Sequence, residues 1–571
     1  MARHLLTTCI FTSLFPLLFL FLTSPTNAST FKQKCHSFSP STHLSHPHPS
    51  SHPIVVNRLE YVPANTTLTF PDNDPSCNRA SQLVAADICR VALFVPTSER
   101  SGLHFEGWFP DPEMWNGRTL ATGNGGLDGC IKYEDIAYGA ANGFLSVSSY
   151  LHTFIAFGTN NGHNGSSGAA FYHNEDALID FSWRALHTSV EIGKELASKF
   201  YDRAHGKSYY IGCSLGGRQG IGGALKFPAD FDGVVAGAPA VDFNSLYSWR
   251  ASFFPITGSV GSSGFISAET WKTTIHDEVL RQCDDIDGVK DGIIEDPILC
   301  HVDTGPLLCK DDGNEGGDRE GCLTAAQVDV VNAIFSDYLY PNGTLLYPRA
   351  NPGGEILASD GLYAGAAYGP SADWFKYVVL ARPDWDPTTY TIADAERAVL
   401  QNPADIATWP SSTSKSLAAF RARGGKILTY HGQQDQQISS LNSVRFWKRL
   451  AGEQDGFELE RMDPFYRLFR VPGMNHCSGG PGAWTIGQGG SAQAYAIPFD
   501  REHNVLAAVV DWVEHGIAPD EIVGTKFVDD AVEKGIMYNH RHCRYPFRST
   551  YSGAGDPADM ESWHCVNFGG Y

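Results

Sequence analysis

Apolar positions along the chain alternate between short runs typical of strands and longer segments with helical spacing. Between Arg58 and Ala240, runs such as Leu145–Ser148, Ser208–Ile211 and Val234–Ala236 are accompanied by a helical pattern at Ala177–Phe200. Alternating strand and helix signals favour a sheet of parallel strands with helices on its faces. This part of the chain is therefore predicted to be α/β.

The alternation stops after Tyr247 and resumes near Lys426. The segment between them is rich in Gly and Asp and has four cysteines from Cys283 to Cys322, whereas the strand-like run Lys426–Tyr430 and the helical run Val505–His515 restore the first pattern. No repeat of fixed period is present, which excludes solenoids and propellers. We therefore predict an interrupted catalytic domain. Its two parts are residues 29–245 and 420–571, and the inserted domain is residues 246–419.

The first 28 residues have the layout of a secretory signal peptide. Basic residues at positions 3 and 4 precede the apolar run Leu5–Leu22, and the small-residue site Thr26–Ala28 follows. A membrane anchor is the alternative, but Pro16 and several polar residues interrupt the run. The Ser-, Pro- and His-rich segment His36–Pro53 cannot bury much apolar area and is predicted to be a loop or tail. Residues 1–28 are expected to be removed on secretion.

The number of cysteines indicates the cellular compartment of the protein, and the net charge limits the classes of molecule that it could bind. One of the 13 cysteines, Cys9, would leave with the signal, and the 12 that remain are an even number, as complete disulfide pairing requires. The acceptor sequences at Asn65, Asn164 and Asn342 would permit N-glycosylation of an exported chain. The net charge of −21 repels phosphate backbones and anionic lipid surfaces. We therefore expect a secreted protein whose function involves neither nucleic acid nor a membrane.

A candidate nucleophile follows the run Ser208–Ile211. The segment from Gly212 to Gly216 reads G-x-S-x-G with Ser214 at its centre, and a helical pattern follows. In such a strand, turn and helix the glycines permit a sharp turn that exposes the serine above the sheet, and the N–H of Leu215 can bind an oxyanion. A chance glycine-rich turn is the alternative, which this context disfavours. We predict that Ser214 is the nucleophile.

A serine nucleophile needs a general base and a carboxylate that orients the base. In the order Ser, Asp, His that accompanies this motif, Asp435 lies just after the strand-like run Lys426–Tyr430. His476 lies in the turn-rich segment Pro472–Cys477, after another strand-like run. The sequence thus predicts a triad of Ser214, Asp435 and His476.

Two cysteines flank the proposed triad members. Cys213 directly precedes Ser214, and Cys477 directly follows His476. A disulfide between them would hold the two catalytic loops together, and its loss would cost about 2–5 kcal/mol of stability. The alternative is that each cysteine pairs elsewhere. We predict the bond Cys213–Cys477.

A glycine-rich run supplies a candidate for the second oxyanion donor. Gly123–Gly126 follows the strand-like Arg118–Leu120, and glycine-rich loops of other esterases donate a backbone N–H to the oxyanion. A plain turn is the alternative. Spacing leaves the choice between Gly125 and Gly126 open.

An acidic loop in the insertion is a candidate cation site. Asp284, Asp287 and Asp291 crowd negative charge into the segment Cys283–Ile293, and two glycines there permit backbone carbonyls to turn inward. Oxygen ligands of this kind suit Ca²⁺ better than Zn²⁺. The spacing is not that of an EF-hand, and a solvated acidic turn is the alternative. We expect a structural calcium ion.

The pairs Cys213-Ser214 and His476-Cys477, together with Asp435, resemble the Cys-Ser, Asp, His-Cys signature of the tannase and feruloyl esterase family. The resemblance covers essentially the whole mature chain. It implies an α/β-hydrolase fold with a large inserted lid domain, and an acyl-enzyme hydrolysis of ferulate, coumarate or caffeate esters of plant cell-wall polysaccharides. Within the family the chain most resembles fungal type-B feruloyl esterases, through the segments Gly123–Gly126, Asn160–His163, Tyr430–Gly432 and Cys543–Pro546.

The resemblance also implies ligands and disulfides. The calcium ligands would be the carboxylates of Asp284, Asp287 and Asp291 and the carbonyls of Val289 and Ile293. The disulfides implied by the family are Cys35–Cys89 and Cys77–Cys130. Closeness in the chain favours three further pairs, Cys283–Cys300, Cys309–Cys322 and Cys543–Cys565.

Two positions depart from the family pattern and leave the substrate subclass open. Leu215 follows the nucleophile where feruloyl esterases tend to have a small polar residue, and Gln436-Gln437 follow Asp435 where a proline is common. The nearest alternative function is a tannase that hydrolyses galloyl esters. The alternative of another class is an inactive secreted binding module on a hydrolase scaffold.

Overall fold

The computed structural model describes residues 25–44, 52–142, 153–310, 321–408, 413–452 and 459–568. The first 24 residues of the predicted signal peptide and the strand-like run Leu145–Ser148 lie outside these ranges. Within them, no helix is both long and apolar enough to cross a membrane.

Seventeen strands form in the described residues, nine of them in one sheet. The strands of this main sheet are β1 Val55–Val62, β4 Ile88–Pro96, β5 Gly102–Pro110, β6 Trp115–Thr122, β7 Thr153–Thr159, β8 Lys207–Cys213, β9 Gly233–Gly237, β12 Lys426–Gly432 and β13 Tyr466–Val471. The others form two-stranded hairpins or pairs: β2 Thr66–Thr69 with β3 Ser81–Val84, β10 Tyr338–Leu339 with β11 Leu345–Tyr347, β14 Glu521–Phe527 with β15 Ile536–Cys543, and β16 Phe547–Tyr551 with β17 Trp563–Asn567.

Eighteen α-helices accompany the strands in the same ranges. They are α1 Pro25–Ser37, α2 Pro40–His43, α3 Tyr133–Ala141, α4 Glu175–Ile179, α5 Ala185–Phe200, α6 Leu215–Lys226, α7 Phe243–Thr257, α8 Ala268–Thr270, α9 His276–Cys283, α10 Ala325–Ile334, α11 Glu355–Ala358, α12 Gly369–Asp373, α13 Ile392–Gln401, α14 Thr413–Ala422, α15 Ser440–Ala451, α16 Leu459–Met462, α17 Ala492–Ala496 and α18 Val505–His515. Wider π-helical turns continue α4, α8 and α12 at Asp180–Arg184, Trp271–Ile275 and Trp374–Val379.

The main sheet is mixed rather than wholly parallel. Its order is β1-β4-β5-β7-β6-β8-β9-β12-β13. From β7 to β13 every neighbouring pair is parallel, whereas β1, β4 and β5 join β7 through antiparallel pairs. The prediction of a parallel sheet from Arg58 onward was therefore wrong for its first strands. The short turn Thr97–Ser101 between β4 and β5 is long enough only for an antiparallel connection.

Side chains that alternate along the central strands pack into two separate cores. On β8, Tyr210 packs with α5 and α6 side chains on one face, while Tyr209 and Ile211 pack with α18 on the other. Val234 and Val235 of β9 divide between the two faces in the same way. These strands are buried on both faces because the side chains of a strand point alternately to its two sides. The sheet thus provides a rigid platform.

The insertion forms a third core between β9 and β12. Helices α7 to α13 and their turns bury a cluster of aromatic and aliphatic side chains that includes Trp249, Trp271 and Trp374. Leu215, the residue after the proposed nucleophile, belongs to this cluster and is 1% exposed. We call the segment 243–408, which contains these helices, the lid. It packs against the catalytic part through Leu215 and through other side chains of this cluster, among them Phe171 and Phe181.

The N-terminal segment is more ordered than the sequence indicates. His36–Pro53 was predicted to be a loop or tail, but α1 extends to Ser37 and α2 covers Pro40–His43. Phe31, Cys35 and Phe38 are buried against the core. The Cys35–Cys89 disulfide attaches α1 to β4, so helix formation here depends on a distant strand that composition does not reveal.

All six cysteine pairs that the sequence analysis proposed are bonded in the structure. They are Cys35–Cys89, Cys77–Cys130, Cys213–Cys477, Cys283–Cys300, Cys309–Cys322 and Cys543–Cys565.

Candidate active site

Ser214 lies in a sharp turn between β8 and α6. Its backbone has φ 66° and ψ −121°, a conformation that non-glycine residues seldom adopt. The turn requires close packing, because a Cβ on Gly123 would come within 2.6 Å of the Gly216 Cα, and one on Gly212 within 3.0 Å of the Gly216 backbone. The glycines therefore let the strand, the turn and the Gly123 loop approach each other, and Ser214 stays half-buried rather than enclosed.

Asp435 and His476 form the second part of the constellation. Asp435 follows β12 and His476 follows β13, and His476 Nδ1 lies 2.7 Å from Asp435 Oδ2. The other carboxylate oxygen accepts backbone N–H groups of Gln437 at 2.7 Å and Ile438 at 2.9 Å. Since an ionised carboxylate only accepts, His476 donates from Nδ1 and keeps Nε2 as an acceptor. That is the tautomer a general base requires.

A second histidine, which the sequence analysis did not assign, supports Asp435. His431 is fully buried, and its Nε2 lies 3.2 Å from Asp435 Oδ2 and 3.1 Å from the Ile438 carbonyl. Its Nδ1 accepts from the Ser443 hydroxyl at 2.7 Å. His431 therefore donates from Nε2 and holds the carboxylate in place. Its position at the end of β12, four residues before Asp435, was the sequence signal for this role.

The pKa of Asp435 reflects this environment. Burial raises the pKa of the carboxyl, but the charge of His476 and the hydrogen bonds from His431 and His476 together lower it well below its usual range. The carboxylate is therefore ionised when His476 acts as a base.

The disulfide Cys213–Cys477 joins the two catalytic loops, with the two Cα atoms 6.0 Å apart. Ser214 and His476 line one cavity of about 440 Å³. Among the described residues, the hydrogen bonds of His476 include none to Ser214, a separation common before substrate binds. The disulfide thus holds the two loops next to each other. A hydrogen bond between the Ser214 hydroxyl and the His476 imidazole then depends on side-chain rotation.

The candidate oxyanion donors near Ser214 differ in whether their backbone N–H groups already have hydrogen-bond partners. Leu215 is the first residue of α6, so its N–H has no partner within the helix. The Gly125 N–H donates to Asp128 Oδ1 at 3.2 Å, whereas in the described part of the chain Gly126 N–H has no hydrogen-bond partner. Gly126 has φ 49° and lines the same cavity as Ser214. The geometry favours Gly126 over Gly125.

The cavity wall has two sources. The catalytic domain contributes three acids and one lysine, Asp128, Glu134, Asp135 and Lys132. The lid contributes Arg250, Tyr368 and Pro370. No sequence pattern singled out these lining residues, because they converge from separate elements. Two other cavities, of about 410 and 390 Å³, lie beside β4 and β5 and contain none of the proposed triad residues.

The acidic loop follows α9 in the lid. Asp284, Asp287 and Asp291 each use one oxygen to accept a backbone N–H, from Gly292, Val289 and Ile293 respectively, all at 3.0 Å. Burial, together with the charges of Glu295 and Asp291, raises the pKa of Asp287 to about 7. In the ranges that the structure describes, no three or more His, Cys, Asp or Glu side chains form a group that could hold a metal ion.

Comparison with known proteins identifies relatives over almost the whole chain. Residues 89–566 match the family model described as "Tannase and feruloyl esterase". A probable feruloyl esterase B-2 of Aspergillus flavus is 52% identical over 515 residues, which cover 90% of this chain and 93% of the relative. The crystal structure of feruloyl esterase B from Aspergillus oryzae superposes with a TM-score of 0.85 at 41% identity, covering 94% of this chain and 100% of that one.

A more distant structure shares the fold alone. Tannin acyl hydrolase from Aspergillus niger superposes with a TM-score of 0.68 at 19% identity, covering 94% of each chain. The mixed α/β sheet, the serine turn after β8 and these superpositions confirm the α/β-hydrolase fold that the sequence predicted.

Loss of the Cys213–Cys477 bridge should impair activity beyond its effect on stability. We expect the double variant C213S/C477S to lose about 2–5 kcal/mol of unfolding free energy and about 10²-fold in kcat/KM, because small displacements of catalytic groups are costly. Urea unfolding and ester hydrolysis below the unfolding transition measure the two effects.

The matched control is C543S/C565S, which removes a bridge that does not reach the cavity. It should lose stability while the folded fraction keeps its kcat/KM. Equal kcat/KM for the two double variants would contradict a positioning role for Cys213–Cys477.

Asp435 should stabilise the fold at neutral pH and lose that effect in acid. Because its folded pKa lies below the unfolded value of about 3.9, the stabilisation is present above about pH 4 and disappears as pH falls through the lower folded pKa. The stability deficit of Asp435→Asn, measured by urea unfolding, should therefore be smaller at about pH 3 than at about pH 6. A deficit that does not change with pH would show that the carboxylate charge is not responsible.

Proposed function

The chain belongs to the tannase and feruloyl esterase family, and on that basis we propose that it is a serine carboxylesterase that hydrolyses hydroxycinnamate esters. The observation that carries the proposal is that Ser214 and His476 line one cavity and that His476 is hydrogen-bonded to Asp435, in a chain 52% identical to a probable feruloyl esterase B-2. Ferulate, coumarate and caffeate esters of plant cell-wall polysaccharides are the proposed substrates.

We propose the following steps of ester hydrolysis for these residues. His476 Nε2 takes the proton of Ser214 as the hydroxyl oxygen attacks the ester carbonyl, and Asp435 stabilises the imidazolium through Nδ1. The N–H groups of Leu215 and Gly126 would bind the oxyanion. His476 then protonates the leaving alcohol. Water attacks the acyl-enzyme with His476 again as base, which releases the acid and restores Ser214.

The alternatives have less support. Galloyl ester hydrolysis would fit the same triad, but the tannin acyl hydrolase is only 19% identical to this chain. An inactive binding module would not require a serine in an unfavourable backbone conformation beside a histidine that is hydrogen-bonded to a buried carboxylate, and this chain has both. We therefore place hydroxycinnamate esters first and galloyl esters second.

Secretion is part of the proposal. Disulfides persist in oxidising compartments, and the chain forms six. The three acceptor asparagines Asn65, Asn164 and Asn342 are exposed. The Thr344 hydroxyl also lies 2.7 Å from Asn342 Oδ1. We propose an extracellular, N-glycosylated enzyme.

We propose that a structural calcium ion binds the acidic loop of the lid and draws together carboxylates that, in the described ranges, do not form a metal-binding group without it. Each of Asp284, Asp287 and Asp291 engages a backbone N–H through Oδ1 alone, which leaves its second oxygen for a cation. Burial, and to a smaller extent the charges of Glu295 and Asp291, raises the pKa of Asp287, so its ionised form is disfavoured unless a cation is present. Carbonyls of Val289 and Ile293 would complete the oxygen ligands. The ion would stabilise the lid and take no part in the chemistry.

The proposed activity is tested by assaying methyl ferulate and methyl gallate side by side. We expect the wild-type enzyme to prefer methyl ferulate, and Ser214→Ala to lose on the order of 10⁴-fold or more in kcat while keeping its fold. A serine-directed phosphonate should label the wild type and not the variant. Faster hydrolysis of methyl gallate would favour the tannase alternative, and no labelling would favour the binding module.

Calcium binding is tested on the chelated protein by titration calorimetry and thermal unfolding. We expect uptake of Ca²⁺ with a rise in Tm, because an ion that binds only the native state stabilises it. Asp287→Asn should abolish both effects. Asp285→Asn is the matched control, since Asp285 lies in the same loop but faces Lys290 at 3.5 Å. If the wild-type protein took up no Ca²⁺, the proposed calcium site would be wrong.

A further inference from the structure

Arg250 is a buried cation in the wall of the active-site cavity. It lies in α7 of the lid, is 4% exposed, and lines the same cavity as Ser214 and His476. Its Nε donates to the Gln437 carbonyl at 2.8 Å. The guanidinium carbon lies 5.4 Å from the Tyr247 ring centroid and 5.6 Å from that of Tyr368.

These contacts leave most of the guanidinium without a polar partner. Within the described ranges, Arg250 has no carboxylate at ion-pair distance, and its buried Nη2 has no hydrogen-bond partner. Two other buried arginines have carboxylate partners, which Arg250 lacks: Arg90 pairs with Glu106 and Glu60, and Arg470 pairs with Asp296. Burial of a charge without a partner is costly. A group that enters the cavity can supply the missing acceptor.

The charges around the cavity direct such a group to Arg250. The catalytic domain lines the cavity with Asp128, Glu134 and Asp135 and with a single cation, Lys132, which lies 3.8 Å from Glu134. Asp435 is already engaged by two histidines and two backbone N–H groups. Arg79 also pairs with Glu134 at 2.7 Å, but the three acids still outnumber these two cations, so an electron-rich oxygen is favoured on the lid side, beside Arg250.

We propose that Arg250 is a specificity-determining residue that binds an acceptor oxygen of the substrate while the ester carbonyl lies at Ser214. The inference rests on the proposed esterase function and names the chemistry that the lid recognises. The acceptor is either a phenolic oxygen on the ring of the acyl group or a carboxylate on the alcohol. Arginine suits both because its planar fork of N–H donors matches such oxygens.

A purely structural role predicts a different result. Through Gln437, whose N–H donates to Asp435, Arg250 also supports the loop that carries the triad acid. If this support were its only role, substitution would lower kcat for every ester by the same factor. Binding of a substrate oxygen instead changes the ratio between esters that have the acceptor and esters that lack it.

The test compares two substrate pairs with wild type, Arg250→Gln and Arg250→Lys. The first pair is methyl 4-hydroxycinnamate and methyl cinnamate, which differ in the ring hydroxyl. The second is the cinnamate ester of a hydroxy acid and the neutral methyl ester of that compound, which differ in the carboxylate. Arg349→Gln is the matched control, because Arg349 is a buried lid arginine that donates to two carbonyls outside the cavity.

We expect Arg250→Gln to reduce the kcat/KM preference for the acceptor-bearing member of one pair by about tenfold to a hundredfold, mainly through KM, as for a lost hydrogen bond to a charged group. The pair that responds identifies the acceptor. Arg250→Lys should retain part of the preference, and Arg349→Gln all of it.

Equal changes for all four esters, or none, would overturn the inference. If Arg250→Gln does not fold, Arg250→Lys decides alone, because a uniform effect of that variant overturns the inference as well. Failure of the proposed function looks different, since the wild-type enzyme would then hydrolyse none of the four esters.

Discussion

The disulfide Cys213–Cys477 is the constraint on which the arrangement of the active site depends. It joins two loops 264 residues apart in the chain, one with the proposed nucleophile Ser214 and the other with the proposed base His476. A covalent link between such distant loops lowers the conformational entropy of the unfolded chain and so stabilises the folded arrangement. It also explains how Ser214 can remain in an unfavourable backbone conformation, since β8, the bridge and the Gly123 loop together determine its position.

The triad acid is held just as firmly, but by hydrogen bonds. Asp435 accepts from two histidines and two backbone N–H groups, so both of its oxygens are satisfied in a fully buried setting. A half-satisfied network of this kind would cost more than an apolar core. The same arrangement sets the tautomer of His476. The positions of base and acid are therefore two consequences of one network.

The lid lies beside this network at Leu215 and Gln437. Leu215 is buried in the lid core, and Gln437 accepts from Arg250 through its carbonyl and from the Tyr368 hydroxyl through its side chain at 3.2 Å. Gln436 accepts the His476 N–H at 3.1 Å. Substitutions at these positions would therefore change the contacts between the lid and the loops of the proposed triad without changing the triad itself. The same contacts connect the lining of the cavity to those loops.

The sequence alone was sufficient to predict the serine turn and the interruption of the sheet, because both depend on residue types at short spacing. It was also sufficient for the order Ser214, Asp435, His476 and for the neighbouring cysteine pair, because these form a recognisable signature. Tertiary structure alone decided the antiparallel first strands, the ordered segment around Phe38, the contact of His431 with Asp435, the hydrogen bond that engages the Gly125 N–H and the position of Arg250 in the cavity wall. The physical reason is that burial, charge pairing and hydrogen-bond satisfaction depend on which distant elements meet, and a one-dimensional pattern does not contain those distances.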